Sequence, residues 1–309
     1  MVEIFLKILP FFLLIGCGYG AAATRFFSAE ATAYLTKFVF YFALSAMLFR
    51  FSSQLDVKEL FDAQFAAAYL LGCFAVYFVY LLVAHLRKTG LAEAAIEAQC
   101  SVIGNNGFLA VPMLIALIGE RAVGPTLFVL AMDQILFGAL VVVLITTAKE
   151  GGLSLRSLGR VGLGIVKNPM VMSMLAGVIW STMDWSVAPP ILDFLTILGS
   201  AATPCALFAI GASLAGKSAE RPGVAIWLSF GKLVLHPLSV AFFALIVFPL
   251  DPFAAGIMII TAAMPVAGNI FIIAQHYGVA PTRVSSSILI STVGSVITLS
   301  LVLGWVLGN

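Results

Sequence analysis

The stretch GNNGFLAVP, residues 104–112, lies within an apolar segment that is long enough to cross a lipid bilayer. Pro112 removes a backbone donor and clashes with the preceding turn of a helix. Gly104 and Gly107 loosen the chain further. A membrane helix tolerates such a break only where the break is buried in protein or lines a watery cavity. The stretch therefore predicts a helix that is interrupted inside the membrane.

A second stretch, MPVAGN at residues 264–269, repeats the combination of proline, glycine and asparagine. Each break creates a half-helix whose first N–H groups lack partners and carry partial positive charge. Pro112 and Pro265 suit the first turns of these half-helices, and Asn106 and Asn269 could cap them or hydrogen-bond a ligand. Two such helix ends that meet favour an anion. The alternative is a plain proline kink, with the asparagines serving helix packing.

The composition identifies the class of protein in which these breaks occur. The 309 residues are 62% hydrophobic and 10% charged, with a mean hydropathy of +1.12. Soluble chains are about half apolar and about a quarter charged, so we predict a polytopic membrane protein. The net charge of +2 does not suggest nucleic acid. The cysteines are widely spaced in apolar segments, so we expect free thiols and neither disulfides nor a metal site at Cys17, Cys73, Cys100 and Cys205.

Ten apolar segments are long enough to span the membrane: 3–24, 29–50, 64–86, 92–118, 123–147, 167–184, 189–215, 222–247, 252–276 and 283–307. Basic residues concentrate in the loops after odd-numbered spans, namely Arg25, Arg87, Lys88, Lys149, Arg156, Arg160, Lys217, Arg221 and Arg283. The opposite side holds Lys7, Arg50, Lys58 and Arg121. The positive-inside rule then predicts that both termini face the periplasm or the exterior.

The ten spans divide into two sets of five with weak internal similarity. Pro10 and Gly18 have the same spacing as Pro169 and Gly177. FALSAML (42–48) matches FAIGASL (208–214), and AVP (110–112) matches AMP (263–265), in the same order along the chain. Because five is odd, the second copy would enter from the opposite side, which is the inverted repeat of many secondary transporters. The alternative is that proline and glycine are merely frequent in membrane helices.

Two charges lie near the middle of the membrane. Asp133 and Lys232 are each about ten residues into a span, or ~15 Å deep at ~1.5 Å per residue. A central charge costs roughly 2.5–3.5 kcal/mol on insertion scales, so it should pair or line a pathway. We expect Asp133 and Lys232 to approach each other, with His236 on the same helix face as Lys232. A charge relay and a structural pair both remain open, and the neighbouring Gln134 is interpreted as a packing residue.

Five stretches together resemble one family: GNNGFLAVP, KNP (167–169), ALFAIGASL (206–214), AAMPVAGNIFIIAQHYG (262–278) and ISTVGSVIT (290–298). The chain resembles the auxin efflux carrier family, which includes PIN-type auxin carriers and bacterial malonate-type transporters. The resemblance covers essentially the whole chain. It departs from bacterial relatives at Ser45, where these often have proline, which affects the expected shape of the scaffold side of the pocket.

The resemblance implies an all-helical fold like that of bile-acid sodium symporters and sodium/proton antiporters. Helices 1, 2, 6 and 7 (1–50 and 167–215) would form a scaffold, and helices 3–5 and 8–10 (64–147 and 222–307) a mobile transport part. The interrupted helices 4 and 9 would cross at their prolines, with the substrate carboxylate beside the crossing. A homodimer through the scaffold, in the plasma (inner) membrane, is also implied.

We therefore predict a secondary active transporter of small organic anions, such as malonate or auxin-like acids, that works by elevator-type alternating access. The predicted binding residues are Asn105, Asn106, Gly107, Pro112, Pro265, Gly268 and Asn269. Asp133, Lys232 and His236 are candidates for coupling to protons, sodium or membrane potential, and Ser45, Pro204, Ser291 and Thr292 for pocket lining. A sodium-coupled symporter or a sodium/proton antiporter is the alternative.

Enzymatic function is not expected, and neither is a cofactor. An intramembrane enzyme needs a nucleophile with its base or a metal motif, and the sequence has neither HExxH nor GxSxG. It also has no Walker A motif, so ATP would not drive transport directly.

Overall fold

The computed structural model is built from α-helices and describes residues 2–54, 62–150, 159, 162–163, 166–215 and 222–308. Within these ranges there is no β-strand, and an isolated bridge joins Gly104 to Val266. In chain order the helices are α1 (Val2–Ala23), α2 (Ala29–Ser52), α3 (Ala63–Leu86), α4 (Leu91–Val102), α5 (Asn106–Ile118), α6 (Glu120–Lys149), α7 (Pro169–Thr182), α8 (Pro189–Leu214), α9 (Pro222–Val247), α10 (Pro252–Ala262), α11 (Asn269–Tyr277) and α12 (Pro281–Gly308).

Among the described residues, six of these helices (α2, α3, α6, α8, α9 and α12) are long and apolar enough to cross a membrane. The shorter apolar helical segments are Leu9–Ala23 within α1, Asn106–Ile118 (α5), Pro169–Thr182 (α7) and Pro252–Ala262 (α10). Large apolar side chains such as Phe26 and Ile197 are exposed, whereas Glu97, Lys232 and His236 are completely buried. This distribution suits a lipid solvent, where polar groups must find partners inside the protein. The chain is thus a multi-pass membrane protein.

Sequence-encoded caps fix several helix starts. The Asn168 side chain accepts from the backbone N–H of Met170 at 3.0 Å, and Asp251 accepts from Phe253 and Ala254 at 3.0 Å each. A proline follows each of these caps in the first turn of α7 and α10. The first N–H groups of a helix have no acceptor within the helix, so the N–H that proline lacks costs no hydrogen bond there. Such caps contribute about 1 kcal/mol each.

Glycines bring two pairs of helices into backbone contact. A Cβ on Gly18 of α1 would lie 2.0 Å from the carbonyl oxygen of Phe208 in α8. A Cβ on Gly177 of α7 would lie 2.8 Å from the carbonyl oxygen of Phe49 in α2. Small residues allow membrane helices to approach this closely. Close packing at these glycines therefore fixes α1 against α8 and α2 against α7.

The predicted interruptions are both present. The fourth predicted span is divided into α4 and α5, and the ninth into α10 and α11, by non-helical residues 103–105 and 263–268. Wide π-helical turns occur nearby at Asn106–Ala110, Asp133–Phe137 and Gly231–Leu235. Pro237 explains the last of these, since its ring displaces the carbonyl of Leu233 and it has no N–H. Five residues used to predict the orientation lie outside the described residues, namely Lys58, Arg156, Arg160, Lys217 and Arg221.

Candidate functional site

The two breaks cross each other as short antiparallel segments. The backbone N–H of Asn105 donates to the carbonyl of Pro265 at 2.8 Å, and that of Ala267 donates to Ile103 at 3.1 Å. The N–H of Val266 donates to the Ser291 hydroxyl of α12 at 3.0 Å. Backbone groups released from helices must be satisfied inside the membrane. Here each break supplies partners for the other, so the crossing is a single hydrogen-bonded unit.

The two prolines do not occupy matching positions, which corrects the prediction that the helices cross at both of them. Pro265 lies within the extended break, where its carbonyl accepts from Asn105, and so it is not in the first turn of α11. Pro112 lies about two turns beyond the crossing, next to Val111, where the regular α-helix of α5 begins. The similarity of AVP to AMP is therefore not a structural correspondence. The matching positions are Asn106 and Asn269, which begin α5 and α11.

Both asparagines reach the same turn of α6. Asn106 Nδ2 donates to Asp133 Oδ2 at 2.7 Å, and Asn269 Nδ2 donates to Gln134 Oε1 at 3.1 Å. Within the described residues, the helix-start positions Asn105 and Gly268 form no side-chain capping bond. The asparagines therefore attach the half-helices to α6 instead of capping them. Gln134, interpreted as packing from sequence, is a partner of the site.

The second polar atom of each amide is an oxygen acceptor. Asn106 Oδ1 and Asn269 Oδ1 are both buried without a hydrogen-bond partner among the described residues. A buried polar atom without a partner costs about 1–3 kcal/mol. Each half-helix thus carries, on its asparagine, one buried oxygen that has no partner among the described residues.

The crossing is closed on one side and open on the other. A Cβ on Gly107 would lie 2.4 Å from Met170 Cε, so this glycine packs directly against the start of α7. Phe108 stacks on Phe40 of α2, with ring centroids 6.4 Å apart and planes 4° from parallel. Gly268 is exposed, and a Cβ there would meet nothing within 4 Å. Among the residues of the crossing, Gly268 thus lies at the surface of the protein.

Asp133 is 3% exposed and uses both carboxylate oxygens. Tyr69 of α3 donates its hydroxyl to Oδ1 at 2.6 Å, while Asn106 donates to Oδ2. Hydrogen bonds to an ionised acceptor are roughly twice as strong as neutral ones. Asp133 thereby joins α3, α5 and α6 around the start of the half-helix α5, where the helix dipole favours negative charge.

Lys232 is fully buried. It lies at the C-terminal end of a half-helix, whereas Asp133 lies at the N-terminal end of another. Its Nζ donates to the carbonyl of Ala262, the last residue of α10, and lies 3.0 Å from His236 Nδ1. His236 Nε2 contacts Cys73 Sγ at 3.2 Å. Among the described residues, no ion pair within 4.0 Å joins Lys232 to Asp133. The two charges lie close enough to interact electrostatically without a direct ion pair, and each also opposes a half-helix dipole.

The residues expected to line the pocket lie in different places. Ser291 contacts the break directly, and Thr292 beside it is buried. The Ser45 hydroxyl donates to the carbonyl of Phe40 in its own helix at 3.1 Å, and Pro204 is exposed. Of the four, Ser291 is the one that contacts the crossing through a hydrogen bond.

Crossed, interrupted helices inside a bundle with an apolar exterior are typical of membrane transport proteins. The family model described as "Membrane transport protein" matches residues 3–303, and the chain belongs to this family, the auxin efflux carrier family that its motifs indicated. The chain is 31% identical over 306 residues to the "Putative malonate transporter" of Rhizobium meliloti (strain 1021), covering 97% of this chain and 95% of the relative. It is 24% identical over 300 residues to the "Uncharacterized transporter YfdV" of Escherichia coli (strain K12), covering 94% of each.

Proposed function

We propose that the protein is a secondary active transporter of small organic anions, carboxylates such as malonate or auxin-like acids. The observation that carries this proposal is the meeting of two half-helix starts, at Asn106 and Asn269, on one turn of α6. Helix N-termini present free N–H groups and positive potential to an anion. Broken helices at corresponding places are the usual site of substrate binding in secondary transporters. The relative named for malonate supports the choice of a small carboxylate.

The proposed substrate site is formed by Asn105, Asn106, Gly107, Pro265, Gly268 and Asn269, with Pro112 shaping the helix behind it. Phe108 and Met170 offer apolar walls beside the polar crossing. A site with a few convergent polar groups and apolar walls suits a ligand with one charged end and a short hydrocarbon body. Malonate and indole-3-acetate both have this character.

A ten-helix plan of two inverted five-helix repeats is supported by the glycine contacts. If a pseudo-two-fold axis relates the halves, a contact between the first and seventh helices requires one between the sixth and second. Gly18 of α1 packs on Phe208 of α8, and Gly177 of α7 packs on Phe49 of α2, which is this reciprocal pair. The scaffold would be 1–50 and 167–215, and the transport part 64–147 and 222–307.

Elevator movement requires that the site moves as one body. The hydrogen bonds from the breaks lead to each other, to α6 and to α12, all within the proposed transport part. Contacts with the scaffold are different in kind: Gly107 against Met170, and an ion pair of 3.1 Å between Arg50 and Glu120. Shape contacts and an exposed ion pair are cheaper to exchange than buried hydrogen bonds. The movement would therefore divide the molecule along this surface.

Asp133, Lys232 and His236 are proposed to couple transport to an ion gradient or to membrane potential. The surroundings of Asp133 and Lys232 also give each a structural role, because each opposes a half-helix end. The orientation with both termini outside, the plasma (inner) membrane and a homodimer through the scaffold complete the proposal. The distribution of basic residues supports the orientation, and the family supports the membrane and the homodimer.

A sodium-coupled symporter is the second candidate, and one observation favours it. Asn106 Oδ1 and Asn269 Oδ1 are buried oxygens without a hydrogen-bond partner among the described residues, and oxygen ligands bind hard cations. A sodium ion bound at the crossing would be coordinated by both oxygens. Its positive charge would then favour the binding of an anion beside it. Dependence of malonate exchange on sodium distinguishes this candidate from a carrier that does not use sodium.

The experiment that tests the proposal is counterflow in proteoliposomes with labelled malonate and labelled indole-3-acetate. Wild type is compared with Asn106→Ala and with Thr196→Ala, a matched control whose hydroxyl bonds to its own helix at an exposed position. We expect exchange of a carboxylate that is lost in Asn106→Ala and kept in the control. Exchange that survives Asn106→Ala moves the site elsewhere. Absence of exchange for either acid, with proton and sodium gradients both applied, contradicts the anion carrier.

A further inference from the structure

The two asparagine pairs at the crossing differ in the chemistry of the partner. Asn106 faces a carboxylate, Asp133, whereas Asn269 faces an amide, Gln134. An ionised carboxylate only accepts hydrogen bonds, but an amide both donates and accepts. Gln134 can therefore bond to Asn269 in either orientation of that side chain. Ionised Asp133 permits one orientation of Asn106, with Nδ2 toward the carboxylate.

This fixed orientation has a consequence for the substrate. With Nδ2 held by Asp133, the atom that Asn106 leaves without a partner is Oδ1, which is buried. A substrate carboxylate also accepts and cannot donate. Two acceptors in contact repel each other, and a buried acceptor without a donor costs about a lost hydrogen bond. Ionised Asp133 thus presents the wrong end of Asn106 to an anion.

A proton on Asp133 reverses the arrangement. Tyr69 already donates to Oδ1 at 2.6 Å, so the oxygen available for a proton is Oδ2, which faces Asn106. A protonated Oδ2 donates to Asn106 Oδ1 once the amide turns by about 180° about its last side-chain bond. The amide then places two N–H donors where Oδ1 had been, beside Gly104 in the crossing. The step takes one proton from water for each carboxylate bound, and releases both together.

The groups around Asp133 are compatible with this proton. From α3 they are Tyr69 and Cys73, and from α9 they are Lys232 and His236, which lie in the same buried cluster. Lys232 is engaged by the carbonyl of Ala262 and by His236. Among the described residues no cation pairs directly with Asp133. Lys232 interacts with Asp133 electrostatically but not through a direct ion pair, so a proton on Asp133 breaks no direct salt bridge.

We propose that Asp133 is a proton-operated positioning residue, whose protonation turns the Asn106 amide so that its donors face the substrate carboxylate. The inference rests on the proposed anion site at the crossing. In this inference the proton that accompanies the substrate binds to Asp133, beside Asn106. The Asn269–Gln134 pair adapts to the substrate without a proton. Asp133→Asn imitates the protonated state, because its NH2 group donates to Asn106 Oδ1 while its oxygen still accepts from Tyr69.

The test is the equilibrium binding of malonate to purified, full-length wild type and to Asp133→Asn, from about pH 6 to about pH 8. One linked proton weakens wild-type binding about tenfold for each pH unit over which free Asp133 is ionised. Malonate's own titration affects both proteins equally, so the ratio of the two dissociation constants isolates Asp133. Above the pH at which free Asp133 loses its proton, we expect this ratio to change about tenfold per pH unit, with Asp133→Asn the tighter binder at high pH.

A ratio that stays constant with pH overturns the inference while leaving the anion site intact. Failure of wild type to bind malonate at every pH overturns the proposed substrate and the inference with it. Gln134→Glu gives a second test that does not depend on the folding of Asp133→Asn. It places a carboxylate opposite Asn269, and we expect a second linked proton, or about a hundredfold loss of binding per pH unit. An unchanged pH profile in a folded Gln134→Glu protein also contradicts the inference.

Discussion

The side-chain amine of Lys232 donates to the carbonyl oxygen of Ala262, the residue at which the half-helix α10 ends inside the protein. The last carbonyls of a helix lack partners and carry partial negative charge. Ser291 performs a related task on the same break, because its hydroxyl accepts from Val266. A lysine and a serine from two other helices thus supply hydrogen-bond partners for backbone groups that the interruption leaves unpaired. This gives Lys232 a structural role that does not require an ion pair with Asp133.

Lys232→Met should therefore destabilise the fold. Methionine keeps the length and the apolar stem of the side chain but leaves the Ala262 carbonyl without its donor. We expect a loss of about 1–3 kcal/mol, the cost of a buried group without a partner, measured as a lower thermal midpoint of the detergent-solubilised protein. Lys167→Met, at an exposed position, is the matched control. Equal midpoints for Lys232→Met and wild type would show that the carbonyl finds another partner.

Gly107→Ala should slow transport more than it weakens binding. The new methyl group would lie 2.4 Å from Met170 Cε, across the surface between the proposed transport part and scaffold. Because the obstacle is the flexible end of a side chain, the fold can yield, but the contact between the two parts changes. We expect a several-fold lower rate of malonate counterflow and a smaller loss of malonate affinity.

The double variant Gly107→Ala with Met170→Ala should recover the rate, because it removes the atom that the new methyl group meets. Gly223→Ala is the control, since a Cβ there meets nothing within 4 Å. If the double variant is as slow as Gly107→Ala alone, the obstacle lies elsewhere and the surface between the two parts is misassigned.

Sequence alone predicts the two breaks and the two asparagines, because proline, glycine and asparagine within an apolar span are costly wherever they occur. It misses Gln134 and Tyr69 as partners. Their role depends on which turn of α6 the breaks reach, and this follows from the crossing of segments that are far apart in sequence. Proline was misleading for a related reason. It is compatible both with a first helical turn and with an extended break, and Pro112 and Pro265 take one role each.

Gly18→Ala and Gly177→Ala should both destabilise the scaffold helices. Their Cβ atoms would lie 2.0 Å from the carbonyl oxygen of Phe208 and 2.6 Å from Ser52 Cβ, respectively. The backbone atoms near Gly18 cannot rotate away, so α1 and α8 must separate. Overpacking of this kind costs roughly 1–3 kcal/mol or more. Thermal unfolding measures it, with Gly16→Ala as the control on the same helix, where a Cβ meets nothing within 4 Å.

The ion pair between Arg50 and Glu120 gives a direct test of movement between the two parts. Arg50 lies near the end of α2 in the proposed scaffold. Glu120 begins α6 in the proposed transport part, and its side chain is 68% exposed. If the parts slide past each other, this pair exists in one state and is broken in the other. An exposed pair contributes up to about 1 kcal/mol, so Arg50→Gln and Glu120→Gln should each shift the balance of states by up to about fivefold.

The shift can be followed by the labelling of a single cysteine placed at the open Gly268 position, in a chain whose natural cysteines are replaced, with a membrane-impermeant maleimide. Both variants should change the labelling rate in the same direction, and the double variant should add nothing to either, because the pair is already broken. Arg121→Gln, which removes a contact with Phe253 within the transport part, should leave the rate unchanged. Additive effects of Arg50→Gln and Glu120→Gln would mean that the pair does not hold one state, and the boundary between scaffold and transport part would have to be drawn elsewhere.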